Sequence, residues 1–424
     1  MSAAGNAPEP DMDMDMALDL TWIAAPADLV PLQAEWQALA TRTRADVFTL
    51  PDWIAVWWTH FGAGQRLACL VARHQGRLVG VLPFCSRLLW IGPLPVRIAR
   101  LAGFDPNCIA FRLALEDAWA RPVLQAALQH LLGPGGCAAV SFTPVSDVAD
   151  YLPVLQGLAG AEAGQNSGQN PGQTAKLALR DDPAGSHIIF DFTGPFDDYL
   201  ALLTKKRRGQ FRRDVKGLQE TFAMTRDDFA PDAAAFDDFV PFHGQQWQAT
   251  GKGGHFNDWP GSAAFYHDVA ARTATGAKLV QLDRLNGTGG ALATEFSLVA
   301  GPTAHWRLPA RRLDPDVDRL SAGKVVFILM FERMIKAGIT RIEAGRGEYG
   351  YKIDYGGQTV PVHRLIVTRD GGWARLRLRA VLAWADLLNL LYYRIWFLKL
   401  SPRLRRRTGG KPQPLWRIWI RTRL

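Results

Sequence analysis

Hydrophobic positions along the chain alternate between helical and strand-like spacing, and the order in which the two recur suggests two related units. Asp28 to Ala40 reads as a helix. Val47 to Gly62, VFTLPDWIAVWWTHFG, starts from a proline and repeats Trp53, Trp57 and Phe61 about one turn apart, which predicts a second. LACLVARHQGRLVGVLPFCSRLLW is a pair of apolar runs around His74-Gln75-Gly76-Arg77, the pattern of a hairpin. A helix from Arg121 to Leu132 and a buried strand, CAAVSFTPV, complete the first unit. The pattern then stops: Ala159 to Thr174, AGAEAGQNSGQNPGQT, is almost without hydrophobic residues and reads as a flexible linker.

The second unit opens with the strand HIIFDF and a helix from Asp197, expected to break near Gly209. Helices over Phe236–Thr250 and Ser262–Thr275 follow. KLVQLDRL and ALATEFSLVA flank the turn Asn286 to Gly290; then come the strand AHWRLPA, a helix from Ser321 to Ala337, the strand RIEAG, a Gly/Tyr-rich loop and the strand VHRLIVTR. This order predicts a mixed α/β fold with one central sheet and helices on its faces. GRLVGVLPF and GALATEFSL, each a Gly-bearing turn and an apolar strand, hint at a duplicated domain. The expected organisation is a solvated tail (1–17), a first domain (18–158), a linker (159–186), a second domain (187–370) and a C-terminal helical tail (371–424).

Composition narrows this reading. With 424 residues, 48% hydrophobic and 21% charged, the chain has the make-up of a soluble globular protein of two or three domains. Its acidic, proline-bearing start lacks the basic and apolar regions of a signal peptide. Cys69, Cys85, Cys108 and Cys137 form no CxxC pair, so neither a metal site nor a disulfide framework is expected, and a cytoplasmic location is. From residue 371 onward thirteen Lys and Arg face one acid, Asp386; that surplus of twelve, against +9 for the whole chain, leaves the remainder at −3. The basic character belongs to the tail.

Several positions are candidates for chemistry. Ser321, Gly323 and Lys324 begin a helix behind a strand, where free amides and the dipole suit a diphosphate and Arg319 adds charge; an ordinary capped core helix would read the same. Glu295 interrupts the apolar ALATEFSLVA and is either a buried base or an edge residue facing solvent. Glu343 shares that ambiguity beside the Gly-rich loop, and His243 is either a base or a hydrogen-bonded structural residue. KKRRGQFRRDVK, from Lys205 to Lys216, carries seven cations and one acid, with Arg208 and Arg212 one turn apart as the pair chosen for a phosphate; a solvated basic face is the plainer alternative.

The run Gly323-Lys324 to AGITRIEAGRGEYGYKIDYGG resembles the C-terminal half of the CelD-like (BioF-like) acetyltransferase family of the GNAT superfamily, a family associated with cellulose and exopolysaccharide biosynthesis. TLPDWIAVWW, GRLVGVLPF, KKRRGQFRR and FHGQQW (Phe242 to Trp247) extend the likeness over most of Phe48 to Arg369. It departs at Glu343, where the family commonly has Asp, and at Ile353-Asp354-Tyr355. The resemblance implies tandem GNAT-like domains in a Fem-like arrangement, with a splayed pair of strands holding the pantetheine arm of an acyl-CoA, acetyl-CoA in the first instance, and no metal. Carried onto this sequence, it makes Trp306, Arg307 and Leu308 the strand that holds the coenzyme, Arg319, Ser321, Gly323 and Lys324 its diphosphate end, and Trp247, Tyr351 and Lys352 acceptor contacts. The expected acceptor is an amine or hydroxyl on a sugar-containing envelope precursor. A Fem-like transfer from aminoacyl-tRNA and a non-catalytic subunit of a polysaccharide synthase are the alternatives.

The tail mixes Trp, Tyr and Leu with Arg. Its apolar stretch, Ala380 to Tyr393, is interrupted by Asp386 and Asn389 and falls short of the roughly 20 residues a span requires. It reads as a helix lying on an anionic membrane surface, or as a helix pair packed on the domain.

Overall fold

The computed structural model describes residues 17–91, 94–104, 108–160, 176–229, 233–249, 254–272 and 279–408. The expected N-terminal tail up to residue 16, most of the linker (161–175) and the last part of the basic tail (409–424) lie outside the described residues.

Among the described residues twelve strands form one sheet. In chain order they are β1 (Leu18–Ile23), β2 (Arg66–His74), β3 (Arg77–Ile91), β4 (Leu94–Leu101), β5 (Ala139–Ser146), β6 (Leu177–Asp191), β7 (Thr225–Phe229), β8 (Val280–Gly287), β9 (Gly290–Ala300), β10 (Thr303–Arg311), β11 (Arg341–Arg346) and β12 (Gln358–Arg369). Across the sheet they run β1-β2-β3-β4-β5-β12-β6-β11-β10-β9-β8-β7. Read inward from either edge, the pattern is the same. Four antiparallel strands lead to a parallel neighbour: β4 meets β5 from Ile98↔Ala139 to Arg100↔Ser141, and β10 meets β11 from Thr303↔Arg341 to His305↔Glu343. Beyond these three-residue contacts each pair separates into a fork. The next strands inward cross over, β12 against β5 and β6 against β11; β6 (Leu177–Asp191), which takes in residues expected as linker and the strand expected to open the second unit, thus serves as the last strand of the first half, and each half lends its last strand to the other. The duplication hinted at by the two Gly-bearing strand pairs is thus realised as one continuous sheet of two halves with the same strand order.

Local chemistry explains the connections. Gln75 (φ 49°) and Gly76 (φ 78°) both lie in the left-handed region, which a two-residue turn between right-twisted strands requires, and they close the β2–β3 hairpin. The helices are α1 (Gln33–Thr43), α2 (Pro51–Phe61), α3 (Ala120–Leu132), α4 (Leu152–Gly160), α5 (Phe196–Leu202), α6 (Lys205–Phe222), α7 (Ala233–Ala249), α8 (His255–Asp258), α9 (Ser262–Ala271), α10 (Pro315–Arg319), α11 (Ala322–Lys336), α12 (Gly350–Asp354), α13 (Gly372–Leu388) and α14 (Ser401–Thr408). Between the last two, Asn389–Leu400 winds as a wider helix. The break expected near Gly209 falls instead at Leu203–Thr204, because the Thr204 hydroxyl accepts from the Arg207 amide and starts α6; Gly209 lies inside that helix.

Two apolar cores stabilise the sheet. One unites the first half with α7 and α9, through contacts such as Trp53 against Phe265 (4.9 Å) and Phe61 stacked on Trp259 (5.2 Å). The other lies under α6 and α11, where Phe327 and Phe331 pack on Trp306 of β10. Aromatic pairs of this kind add about 0.5–1.5 kcal/mol each beyond the area they bury. In the tail, Val381 and Leu382 pack α13 onto the sheet, so the packed alternative holds for that helix, although Trp373 and Trp384 remain exposed. No helix among the described residues is long and apolar enough to cross a membrane.

Candidate active site

The second fork opens where β10 parts from β11, just past His305 and Glu343. The register of β10 against β9 shifts between Trp306 and Leu308, a bulge that places Arg307 between paired positions and turns the strand away. At the fork's open end Arg311, the last residue of β10, lies against the first turn of α11; a Cβ on Gly323 would sit 3.7 Å from the Arg311 Cδ. Ser321 precedes this helix in the left-handed region (φ 48°), and its hydroxyl caps no amide. The Lys324 and Val325 amides donate to the Ser321 carbonyl, so what the start of α11 offers an anion is the Ala322 and Gly323 amides and the positive end of its dipole. Lys324 stands in this first turn, and Arg319 pairs with Asp316 at 2.8 Å.

Nearer the vertex, Lys352 of α12 joins the two arms. Its ammonium donates to the Ala344 carbonyl on β11 and lies 4.5 Å from the centre of the Trp306 indole on β10. The indole Nε1–H donates to Glu295 on β9 at 2.5 Å. Burial pushes the Glu295 carboxyl up to about 8 and outweighs the Trp306 hydrogen bond. It also pulls Lys352 down to about 8, against the attraction of Glu343 and Glu295. A buried acid and a buried lysine therefore exchange protons near the same pH beside the fork. The edge-residue alternative for Glu295 fails: it is 1% exposed.

Glu343 is of a different kind. It pairs with His305 in the last register position of the fork and accepts from His187 Nδ1 (3.2 Å) and the Gly345 amide (2.8 Å). Burial alone would raise it, but His187 and His305 prevail and hold it down to about 2. The same line reaches into the first half: His187 Nε2 meets the Ser146 hydroxyl at 2.9 Å, and His305 stands 3.6 Å from Asp46 and 3.9 Å from Glu343. Both carboxylates raise His305 despite its burial. A carboxylate so held is a poor proton acceptor, and Glu343 serves instead as a charge shared between the halves. Asp46, Ser146, His187 and His305 escaped the sequence reading, although a histidine inside the apolar runs SHIIFDF and TAHWRL was a visible signal.

The remaining candidates are dispersed. His243, on α7, lies behind β10, where Nδ1–H donates to the Pro309 carbonyl at 2.8 Å. Burial pulls it down to about 4, so it is neutral, and it is not brought together with Glu295. Trp247 is half-buried near the end of the same helix, its ring 5.9 Å from His243. Arg307 donates to the Tyr266 hydroxyl at 3.2 Å and Leu308 is half-buried. Tyr351 is 39% exposed beside Tyr349, on the same short helix as Lys352. Arg208 turns inward to the carbonyls of Leu200, Ala201 and Leu203 and closes the end of α5, so it does not form the phosphate pair expected with Arg212, which is exposed.

With this geometry in view, the likeness to known proteins falls on the same region. Residues 205–353, from the start of α6 to Ile353 in α12, match the acetyltransferase (GNAT) domain family. This segment is a GNAT-type acyltransferase domain. No curated protein matches the chain. Among solved structures, FemX covers 81% of this chain and 96% of its own at 10% identity and a TM-score of 0.55, which shows a Fem-like tandem fold. The C-terminal domain of a putative lysylphosphatidylglycerol synthetase from Agrobacterium fabrum matches at 14% identity over 86% of this chain and 97% of its own, TM-score 0.47. L-PGS from Bacillus licheniformis matches at 11% identity over 82% and 95%, with the same score.

Proposed function

We propose that the second fork holds an acyl-CoA, acetyl-CoA in the first instance, and transfers its acyl group to an amine or hydroxyl of a sugar-containing envelope precursor. The observation that carries this reading is the position of Lys352, whose ammonium touches both arms at the residues just past the last paired ones. A thioester drawn along the fork would bring its carbonyl to that ammonium, while the start of α11, with Lys324 and Arg311, would face the diphosphate. The acceptor attacks the carbonyl carbon, the oxygen gathers charge against Lys352, and the C–S bond then breaks to release the thiolate. Glu295, once ionised, receives the acceptor's proton. Trp306, Arg307 and Leu308 line the arm along which the pantetheine would lie, and Tyr351 and Trp247 remain the acceptor contacts.

The envelope acceptor draws support from the resemblance to CelD-like enzymes and from the tail. There Arg375, Arg377 and Arg379 are exposed on the same helix as Trp373 and Trp384, a combination suited to an anionic leaflet and hence to a site at the inner face of the cytoplasmic membrane. The Fem-like reading, with aminoacyl-tRNA as donor, draws on Lys205, Lys206 and Arg212, which are exposed on α6. Calorimetry with acetyl-CoA separates the two. Micromolar binding, weakened about tenfold or more by Lys324→Glu, is expected; binding of charged tRNA with none of any acyl-CoA would replace the first reading by the second.

A further inference from the structure

The first fork, between β4 and β5, is also a cleft. Its space, open solvent included, is about 990 Å³. Arg87, Arg100, Gln65 and Ser141 supply its polar groups, and Phe142 and Tyr151 stand for its largely aromatic and aliphatic walls. The Arg100 guanidinium lies 6.0 Å from the Trp57 ring, and beside it the buried Cys85 thiol donates to Gln65 at 3.1 Å.

This cleft is not a second copy of the donor site. β5 is antiparallel to β12, β12 to β6 and β6 to β11, so the two forks open toward opposite ends of the sheet. The helix that follows β4 also begins in the wrong place for a diphosphate. Trp119, which precedes α3, lies on His74 at 4.4 Å, beside the far end of β2. The fork is level with Leu67, which pairs with Cys85 as Arg100 does. Seven strand residues separate the two levels, roughly 23 Å. The first half keeps the groove and two guanidiniums, but the helix after its forked strand starts elsewhere; the helix start that borders the cleft is that of α4, just after Tyr151.

The cleft also runs toward the tail. Leu89 and Ile98 line it, and Ile98 belongs to the small core that Val381 of α13 completes, against which Leu89 packs. On the helix that carries Val381, Trp373 is 71% exposed. The apolar wall of the cleft thus continues, through Ile98 and Val381, into the tail helix.

We infer that the first fork binds an amphiphilic anion: an apolar chain along the aromatic walls, ending in a phosphate or carboxylate that Arg87 and Arg100 hold. The chain could be drawn from a membrane lipid or from a free amphiphile, and the chemistry is common to both. The site is independent of acyl transfer at the second fork.

The test uses the full chain and dodecyl phosphate below its micelle threshold, followed by calorimetry. Saturable binding is expected, at least about tenfold tighter than that of inorganic phosphate or dodecanol, and weakened at least about tenfold in Arg87→Gln/Arg100→Gln. Lys352→Met should leave it unchanged, and acetyl-CoA should not compete. Should Arg100→Gln unfold the protein, Arg87→Gln alone carries the test, because Arg87 is exposed. Vesicles of phosphatidylcholine carrying phosphatidic acid identify the source. Arginine-dependent vesicle binding supports the cleft with a lipid as its ligand; arginine-dependent binding of the monomer alone supports it with a soluble one. Equal binding by the double variant, competition by acetyl-CoA, or no saturable binding would overturn the inference. None of these outcomes depends on whether acetyl-CoA binds the second fork.

Discussion

The two halves share a strand order and differ in what fills the fork. In the second, Lys352 bridges the arms, Glu295 and Trp306 stand behind it, and α11 starts at the open end. In the first, no lysine lines the cleft among the described residues; Arg87 and Arg100 face an aromatic space, and α3 starts at the other end of β2. The same backbone can therefore carry two kinds of site. What separates them is the placement of one helix start and a few side chains, a distinction that fold likeness alone does not make. Between the forks, the line Ser146, His187, Glu343, His305 and Asp46 ties the halves together through buried charge.

The largest effect should come from breaking that tie. Glu343→Gln leaves His305 and His187 without their shared carboxylate and should cost about 3–5 kcal/mol in urea unfolding. The sign with pH follows from its lowered value. The stability that Glu343 contributes is present above its ordinary 4.5 and is lost as pH falls toward about 2; the variant should lack that acid dependence. His305 acts in reverse: because it is raised, its contribution is present below 6.5 and fades as pH rises through its folded value. An unchanged denaturation midpoint in Glu343→Gln would mean that the halves are held by apolar packing alone.

Next is Lys352→Met, which should lower kcat by about 10²–10³-fold if the ammonium stabilises the charge that develops on the carbonyl. The corresponding change in the first fork, Arg87→Gln, should leave turnover as it is. Steady-state kinetics on both variants sharpen the comparison directly, and equal losses would abolish it.

In the proposed mechanism Glu295 and Lys352 set the pH dependence. Glu295 must be ionised and Lys352 protonated, so kcat/KM should rise toward about 8 and fall above it. Glu295→Gln should remove the acid limb; a profile with that limb intact would exclude Glu295 as the proton acceptor. The smallest effect concerns α6. Arg208→Ala, which frees three carbonyls at the end of α5, should destabilise by about 1 kcal/mol, whereas Arg212→Ala on the exposed face should change stability by less than about 0.5 kcal/mol.

Much of this architecture was legible because period and punctuation are local. Pro51 begins α2, Gly338 lies just beyond α11, and the His74 to Arg77 turn closes its hairpin as the apolar runs on either side require. The exchange of last strands was not legible, since nothing local in VHRLIVTR distinguishes pairing with β5 from pairing within its own half. The site divided in the same way. Glu295 and Lys352 stood out as a lone acid in an apolar strand and a lysine in a matched motif. Glu343 resembled Glu295 in sequence, yet its neighbours His187 and His305 come from β6 and β10 and reverse its chemistry. Arg208 and Arg212, one turn apart on a helix, diverge because only one of them meets the carbonyl end of α5.

The central claim, that the acyl donor takes the second fork and not the first, can be read from hydrogen exchange in the presence of a non-transferring acetyl-CoA analogue. The account expects slowed exchange over Trp306–Arg311 and in the first turn of α11, with no change over Ile98–Leu101 or Phe142–Ser146. Protection confined to the β4–β5 fork, or none in either, would contradict it.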